Sequence, residues 1–159
     1  MNAAIYQLPT MVGKLLSKLP AYPGALLFAG GINLVLRKHL PAETLALLED
    51  RPLRIEVKDA GVAFDFVCRR GAFSALSGRR DVDLTIGATA YDFYLLSQRR
   101  EDPDTLFFSR RLTMEGDTEL GLLVKNSLDA IDLSAFSFDQ WLPARLFRSR
   151  PIERGGMPD

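Results

Sequence analysis

A chain of 159 residues is long enough for one hydrophobic core, and at that size folding removes roughly two-thirds of the unfolded surface from water. With 47% hydrophobic and 25% charged residues, the composition argues against wholesale disorder and against a polytopic membrane protein. Twenty basic residues cancel twenty acidic ones, so the basic footprint of a protein that neutralises many phosphates is missing and no nucleic acid is expected as a partner.

Residues 1–20 place Ile5, Leu8, Met11, Val12, Leu15, Leu16 and Leu19 at helical spacing, with Pro9 breaking or delaying the first turn. This is the pattern of an amphipathic arm. The stretch from Pro20 to Leu36 carries no charge, yet it falls short of the roughly 20 residues of a membrane span and is interrupted by Pro23, Gly24, Gly30, Gly31 and Asn33. It reads as a buried or membrane-surface helix over about 24–39, with Arg37 and Lys38 at its C-terminal end. Pro41 then opens a short helix, Ala42 to Glu49.

The period changes to two at residue 53. Leu53, Ile55 and Val57 alternate with Arg54, Glu56 and Lys58, and after an Asp59-Ala60-Gly61 turn the chain returns as Val62, Phe64, Phe66 and Cys68. A turn at Arg70-Gly71 leads to a short strand around Phe73, and Val82, Leu84 and Ile86 form another. Thr89 caps a helix carrying Phe93 and Leu96, and Asp102-Pro103 starts a second before Leu106, Phe107 and Phe108. Leu112 and Met114 belong to a last strand closed by Gly116-Asp117, after which Leu120, Leu123, Val124, Leu128 and Ile131 follow a helical stripe. A final amphipathic helix over about 139–148 sets Trp141 and Phe147 against Arg145 and Arg148, and 151–159 reads as a disordered tail. The expected fold is α+β, with a five-stranded, mainly antiparallel sheet, helices over one face and the other face wet.

Little in the chain carries catalytic chemistry. There is one histidine, His39, at a helix end, and one cysteine, Cys68, in a strand pattern that suits a buried thiol in a reducing cytoplasm. No zinc ligand set of the usual kind, nucleophile elbow, phosphate loop or dinucleotide fingerprint is present, so no metal or cofactor is expected. Asp102 with Asp104, and Asp117 with Glu119, are pairs fit for acid–base work, but each lies in the first turn of an expected helix, where capping explains it more simply. What remains is apolar surface. Phe64, Phe66, Leu84, Ile86, Phe93, Leu96, Phe107, Phe108, Leu112, Met114, Leu120, Leu123 and Val124 project from elements that share one interior. Periodicity does not distinguish a filled core from an apolar ligand cavity there.

The run Glu101-Asp102-Pro103-Asp104-Thr105-Leu106-Phe107-Phe108, then Arg110-Arg111-Leu112, Glu115-Gly116-Asp117-Thr118-Glu119-Leu120-Gly121 and Val124-Lys125-Asn126, resembles the bacterial UbiT (YhbT) family. From about Leu45 to Leu133 the chain more loosely resembles the sterol carrier protein type 2 domain. The resemblance implies a hydrophobic tunnel between sheet and helices, lined by the thirteen residues above. It implies a non-catalytic accessory role in ubiquinone biosynthesis by the oxygen-independent route beside the hydroxylation proteins UbiU and UbiV, holding a prenylated quinone precursor or a phospholipid. A general phospholipid carrier or sensor, and a scaffold that binds no ligand, are the alternatives. On this reading residues 1–40 form a lid or membrane contact, 41–135 the lipid-binding domain, 136–150 an amphipathic helix and 151–159 a tail. Leu26, Leu27, Phe28, Trp141, Arg145, Phe147 and Arg148 are the expected transient membrane contacts of a cytoplasmic protein, peripheral on the inner membrane.

Overall fold

The structure is a computed structural model that describes residues 6–7, 10–18, 26, 29–34, 37–78, 80–130 and 148–149. Strand β1 (Tyr6–Gln7) precedes α1 (Thr10–Ser17), which begins immediately after Pro9. Residues 29–34 are helical and 37–39 form a turn, so the apolar helix expected to reach His39 ends earlier. There follow α2 (Ala42–Leu48), β2 (Pro52–Val57), β3 (Val62–Arg69), β4 (Ala72–Ala75), β5 (Leu84–Ala88), α3 (Ala90–Ser97), α4 (Pro103–Phe108), β6 (Thr113–Gly116), α5 (Thr118–Ala130) and β7 (Arg148–Ser149).

The main sheet runs β4-β3-β2-β5-β6. Its two hairpins form where the turn chemistry sits: Gly61 takes φ 63°, and Arg70 and Gly71 both take positive φ, as a two-residue primed turn demands. Residues 76–83 then carry the chain past β3 to the far side of β2, where β5 pairs parallel to it, with Leu53 opposite Leu84 and Ile55 opposite Ile86. The sheet is therefore mixed. The β2–β3, β3–β4 and β5–β6 pairings are antiparallel as expected, and the β2–β5 pairing corrects the mainly antiparallel picture.

Register determines what each face presents. Phe66 lies opposite Leu53, Phe64 opposite Ile55, Met114 opposite Ile86, and Phe73 opposite Cys68, so one face is apolar from edge to edge. It is roofed by Ile32, by Leu45 and Leu48 of α2, Phe93 and Leu96 of α3, Leu106 of α4, and Leu120, Leu123 and Val124 of α5. The opposite face is less wet than the alternation suggests. There Val67 is 2% exposed, and Asp65, 9% exposed, accepts two hydrogen bonds from Arg54 across the strands at 2.6 and 2.8 Å.

The strand edge at β4 is closed by a side chain. The Asn33 amide donates to the Phe73 carbonyl and accepts from the Phe73 N–H, both at 2.6 Å, imitating a neighbouring strand and tying residues 29–34 to the sheet. A second ribbon joins the chain's ends, because Tyr6 and Gln7 pair antiparallel with Ser149 and Arg148. Arg148 is thus in a strand rather than at the end of a helix; the rest of the expected C-terminal helix and the tail lie outside the described residues.

Candidate lipid-binding site

Ten of the thirteen expected lining residues, Phe66, Leu84, Ile86, Phe93, Leu96, Leu112, Met114, Leu120, Leu123 and Val124, belong to one continuous apolar cluster between the sheet and the helices. The cluster has a graded interior. Phe66, Leu84, Ile86, Leu106, Leu112 and Leu120 are buried, but Leu40, Leu45, Ile55, Phe93, Leu96, Met114, Leu123 and Val124 pack against them while remaining partly open to solvent. A six-residue helix explains where Phe107 and Phe108 go. Each residue turns by about 100°, so α4 can send Leu106 inward only by turning its next two residues out, and Phe107 and Phe108 are 39% and 81% exposed. They do not share the interior, which corrects the expectation for that pair. Phe64 is half-buried on the apolar face of β3.

Of the expected membrane contacts, Leu26 is half exposed and Arg148 lies in β7, whereas Leu27, Phe28, Trp141, Arg145 and Phe147 fall outside the described residues. No described helix is long and apolar enough to cross a membrane.

The polar groups at the rim have structural work. Asp102 caps α4, accepting from the Thr105 N–H at 2.8 Å and the Thr105 hydroxyl at 2.7 Å, and these bonds hold its carboxyl below the usual range. Asp117 caps α5, accepting from the Leu120 N–H at 3.0 Å and from Arg51 at 2.7 Å, with the same effect on its titration. A general acid or base at neutral pH needs the opposite displacement, toward 7, so neither Asp102 nor Asp117 is tuned for proton transfer. Arg51 also binds Asp83, joining the start of β5 to the start of α5. Arg111 binds Glu101 at 2.7 Å and the buried Asp92 at 2.9 Å, tying α3 to the two ends of α4. Burial pushes the Cys68 thiol up, and it is fully enclosed, which leaves it unreactive.

Gly116 sets the angle between sheet and roof. It takes φ 122°, and a Cβ there would lie 2.3 Å from the Asp83 carbonyl oxygen, the same atom that accepts the Asp117 N–H at 2.8 Å. Only glycine lets β6 turn straight into α5 at that distance. Among the described residues there is also a small pocket of about 110 Å³, lined by Leu96, Arg99, Glu101, Asp102, Pro103 and Leu128, between the end of α3, the start of α4 and the far end of α5.

The model of the SCP-2 sterol transfer family matches residues 32–129, more than half of the chain. The chain belongs to that family. A solved SCP-2 relative, the ubiquinone synthesis protein UbiJ-SCP2, superposes with a TM-score of 0.52 at 25% identity, covering 65% of this chain and 94% of that one. The ubiquinone biosynthesis accessory factor UbiT of Escherichia coli strain K12 is 43% identical over 97 residues, covering 61% of this chain and 55% of UbiT; the O157:H7 protein matches equally. The chain therefore spans about half the length of the curated relatives it matches. The SCP-2 match begins at Ile32, so it includes Asn33 and its grip on β4, an anchor that a sequence reading takes for an interruption in an apolar run.

Proposed function

We propose that this protein is a non-catalytic lipid-binding accessory factor for ubiquinone biosynthesis. The observation that carries the proposal is the graded apolar cluster: Phe93, Leu96, Met114, Leu123 and Val124 face the core yet stay partly open, as the lining of a ligand site would before its guest covers it. The SCP-2 family supplies the ligand class, and the likeness to UbiT and to UbiJ-SCP2 supplies the pathway.

The physical task is to keep an apolar tail out of water. Each methylene left in water costs about 0.8 kcal/mol, so one five-carbon isoprene unit already carries a penalty of several kcal/mol. Contact with the sheet face and with α3 and α5 offsets it. On this proposal the tail of a prenylated quinone precursor, or of a phospholipid, lies in an apolar tunnel along Phe93, Met114, Leu123 and Val124, and the head stays at the tunnel mouth, where UbiU- and UbiV-type hydroxylation proteins of the oxygen-independent route reach the ring. The site is cytoplasmic with transient access to the inner membrane, and residues 1–40 act as lid or membrane contact; α1 carries Met11 and Leu15 exposed on one side.

Native mass spectrometry of the full chain, purified from a ubiquinone-producing host, tests the reading. An isoprenoid quinone precursor bound to the parent and lost in Leu123→Trp, with the melting transition retained, is the expected result. Diacyl lipids alone would point to a general phospholipid carrier. A lipid-free parent that still supports ubiquinone synthesis, together with an equally active Leu123→Trp, would leave only a scaffold.

A further inference from the structure

Phe107 and Phe108 pack edge to face, with ring centroids 5.8 Å apart, on the last turn of α4, and their surface is turned away from the core. α4 and α5 run in opposite directions: Pro103 shares a pocket with Leu128, and Asp104 pairs with Lys125 one turn further along. Leu122, 55% exposed, therefore lies at the same end as the two aromatic rings. Beside them stands Arg110, exposed and without an ion pair among the described residues. Asp104, on the phenylalanine face of α4, is already neutralised by Lys125, and Arg111 is engaged by Asp92 and Glu101.

Arg110 holds φ 60°, the left-handed position that follows a helix end and that glycine occupies without a Cβ penalty. The chain thus keeps a cation where the backbone favours glycine. We infer that Phe107, Phe108 and Arg110 form a docking tip for an anionic lipid bilayer, the rings entering the acyl boundary while the guanidinium meets lipid phosphate. Area, together with the exposed Arg110, favours this occupant. At roughly 200 Å² for a Phe side chain, the exposures of 81% and 39% leave about 240 Å² of aromatic surface. That is far below the approximately 800 Å² each partner gives to a stable protein interface. A projecting wedge with an exposed cation suits a bilayer, which needs no matching contour.

The inference rests on the lipid-carrier reading, since a carrier has to touch the membrane it loads from, but it fails or stands separately. The test is sedimentation of the full chain with phosphatidylcholine vesicles and with vesicles of phosphatidylcholine and phosphatidylglycerol in equal parts. The parent should favour the anionic vesicles. Phe108→Ser should bind them at least about tenfold more weakly, the minimum expected for withdrawing one aromatic ring from the interface. Arg110→Gly should lose about fivefold of the preference for anionic vesicles, with an unchanged or higher melting temperature because its backbone is relieved. A parent that ignores both vesicle types, or a Phe108→Ser that binds as the parent does, overturns the inference; so does a parent dimer in sedimentation velocity that Phe108→Ser dissolves, which would assign the tip to a second copy. Native mass spectra of the same preparations separate the two readings. Lipid carried by both proteins with no difference in docking sinks the tip alone, and docking by a lipid-free parent sinks the carrier alone.

Discussion

Replacing Gly116 by alanine should damage this fold far more than replacing Gly121, five residues later. At Gly116 the new Cβ meets backbone: the Asp83 carbonyl oxygen at 2.3 Å and its carbon at 3.1 Å, neither of which can swing aside. The residue also sits at φ 122°, where an L side chain costs about 1–3 kcal/mol. Relief requires β6 to move off β5, which loses the Asp117 N–H bond to Asp83, a contribution of about 1 kcal/mol. The expected loss is about 2–4 kcal/mol, or ~10 °C in Tm for a chain of this length. At Gly121 the added methyl would rest 3.5 Å from Leu84 and 3.8 Å from Met114, ordinary contact inside a helix, so alanine should stabilise by about 0.5–1 kcal/mol. Urea unfolding followed by circular dichroism measures both. A Gly116→Ala within about 0.5 kcal/mol of the parent, or a Gly121→Ala equally damaging, would refute the claim that this junction is held by contact with backbone.

Three further outcomes follow from the same geometry. Asn33→Ala leaves the Phe73 N–H and carbonyl without their partners and should cost about 2 kcal/mol, with faster hydrogen exchange at the Phe73 amide seen by NMR. The Asp117 carboxyl is held low first by the Leu120 N–H and then by Arg51, so its contribution is complete above the ordinary aspartate value, near 4, and fades as pH falls through the lowered one. Asp117→Asn should therefore flatten the acid side of the stability–pH curve, read by denaturant titration between neutral and acidic pH. Leu106→Ala, at a fully enclosed site, should cost about 3–4 kcal/mol by chemical denaturation.

How far the sequence carried depended on whether a feature is local. The alternation of Leu53, Ile55 and Val57, and its answer in Val62, Phe64 and Phe66, is written in consecutive residues, and the structure pairs Leu53 with Phe66, Ile55 with Phe64 and Val57 with Val62. The caps at Thr89, Asp102 and Asp117 were legible for the same reason, each bonding an N–H three residues on. The parallel β2–β5 pairing was not, because Leu84 and Ile86 alternate identically whichever neighbour they take. Asn33 looked like an interruption because its partner is forty residues away. Phe107 and Phe108 read as core by apolarity alone, but in a six-residue helix the phase is set by Leu106, which turns both rings outward. The burial of Val67, opposite Pro52 and Ser74, is illegible for a related reason: an apolar residue on the polar face carries no local mark of what covers it.

The crossing from β4 to β5 also has a temporal side. During synthesis β2, β3 and β4 can zip into a meander as soon as residue 75 has emerged, since both turns between them are tight. The outer rim of β2 then waits, its Leu53 and Ile55 backbone groups open to any passing strand, until residues 84–88 arrive to occupy it. The centre of the finished sheet is thus the most vulnerable line of the nascent one, and the short interval before β5 docks is when a neighbouring polypeptide can take its place.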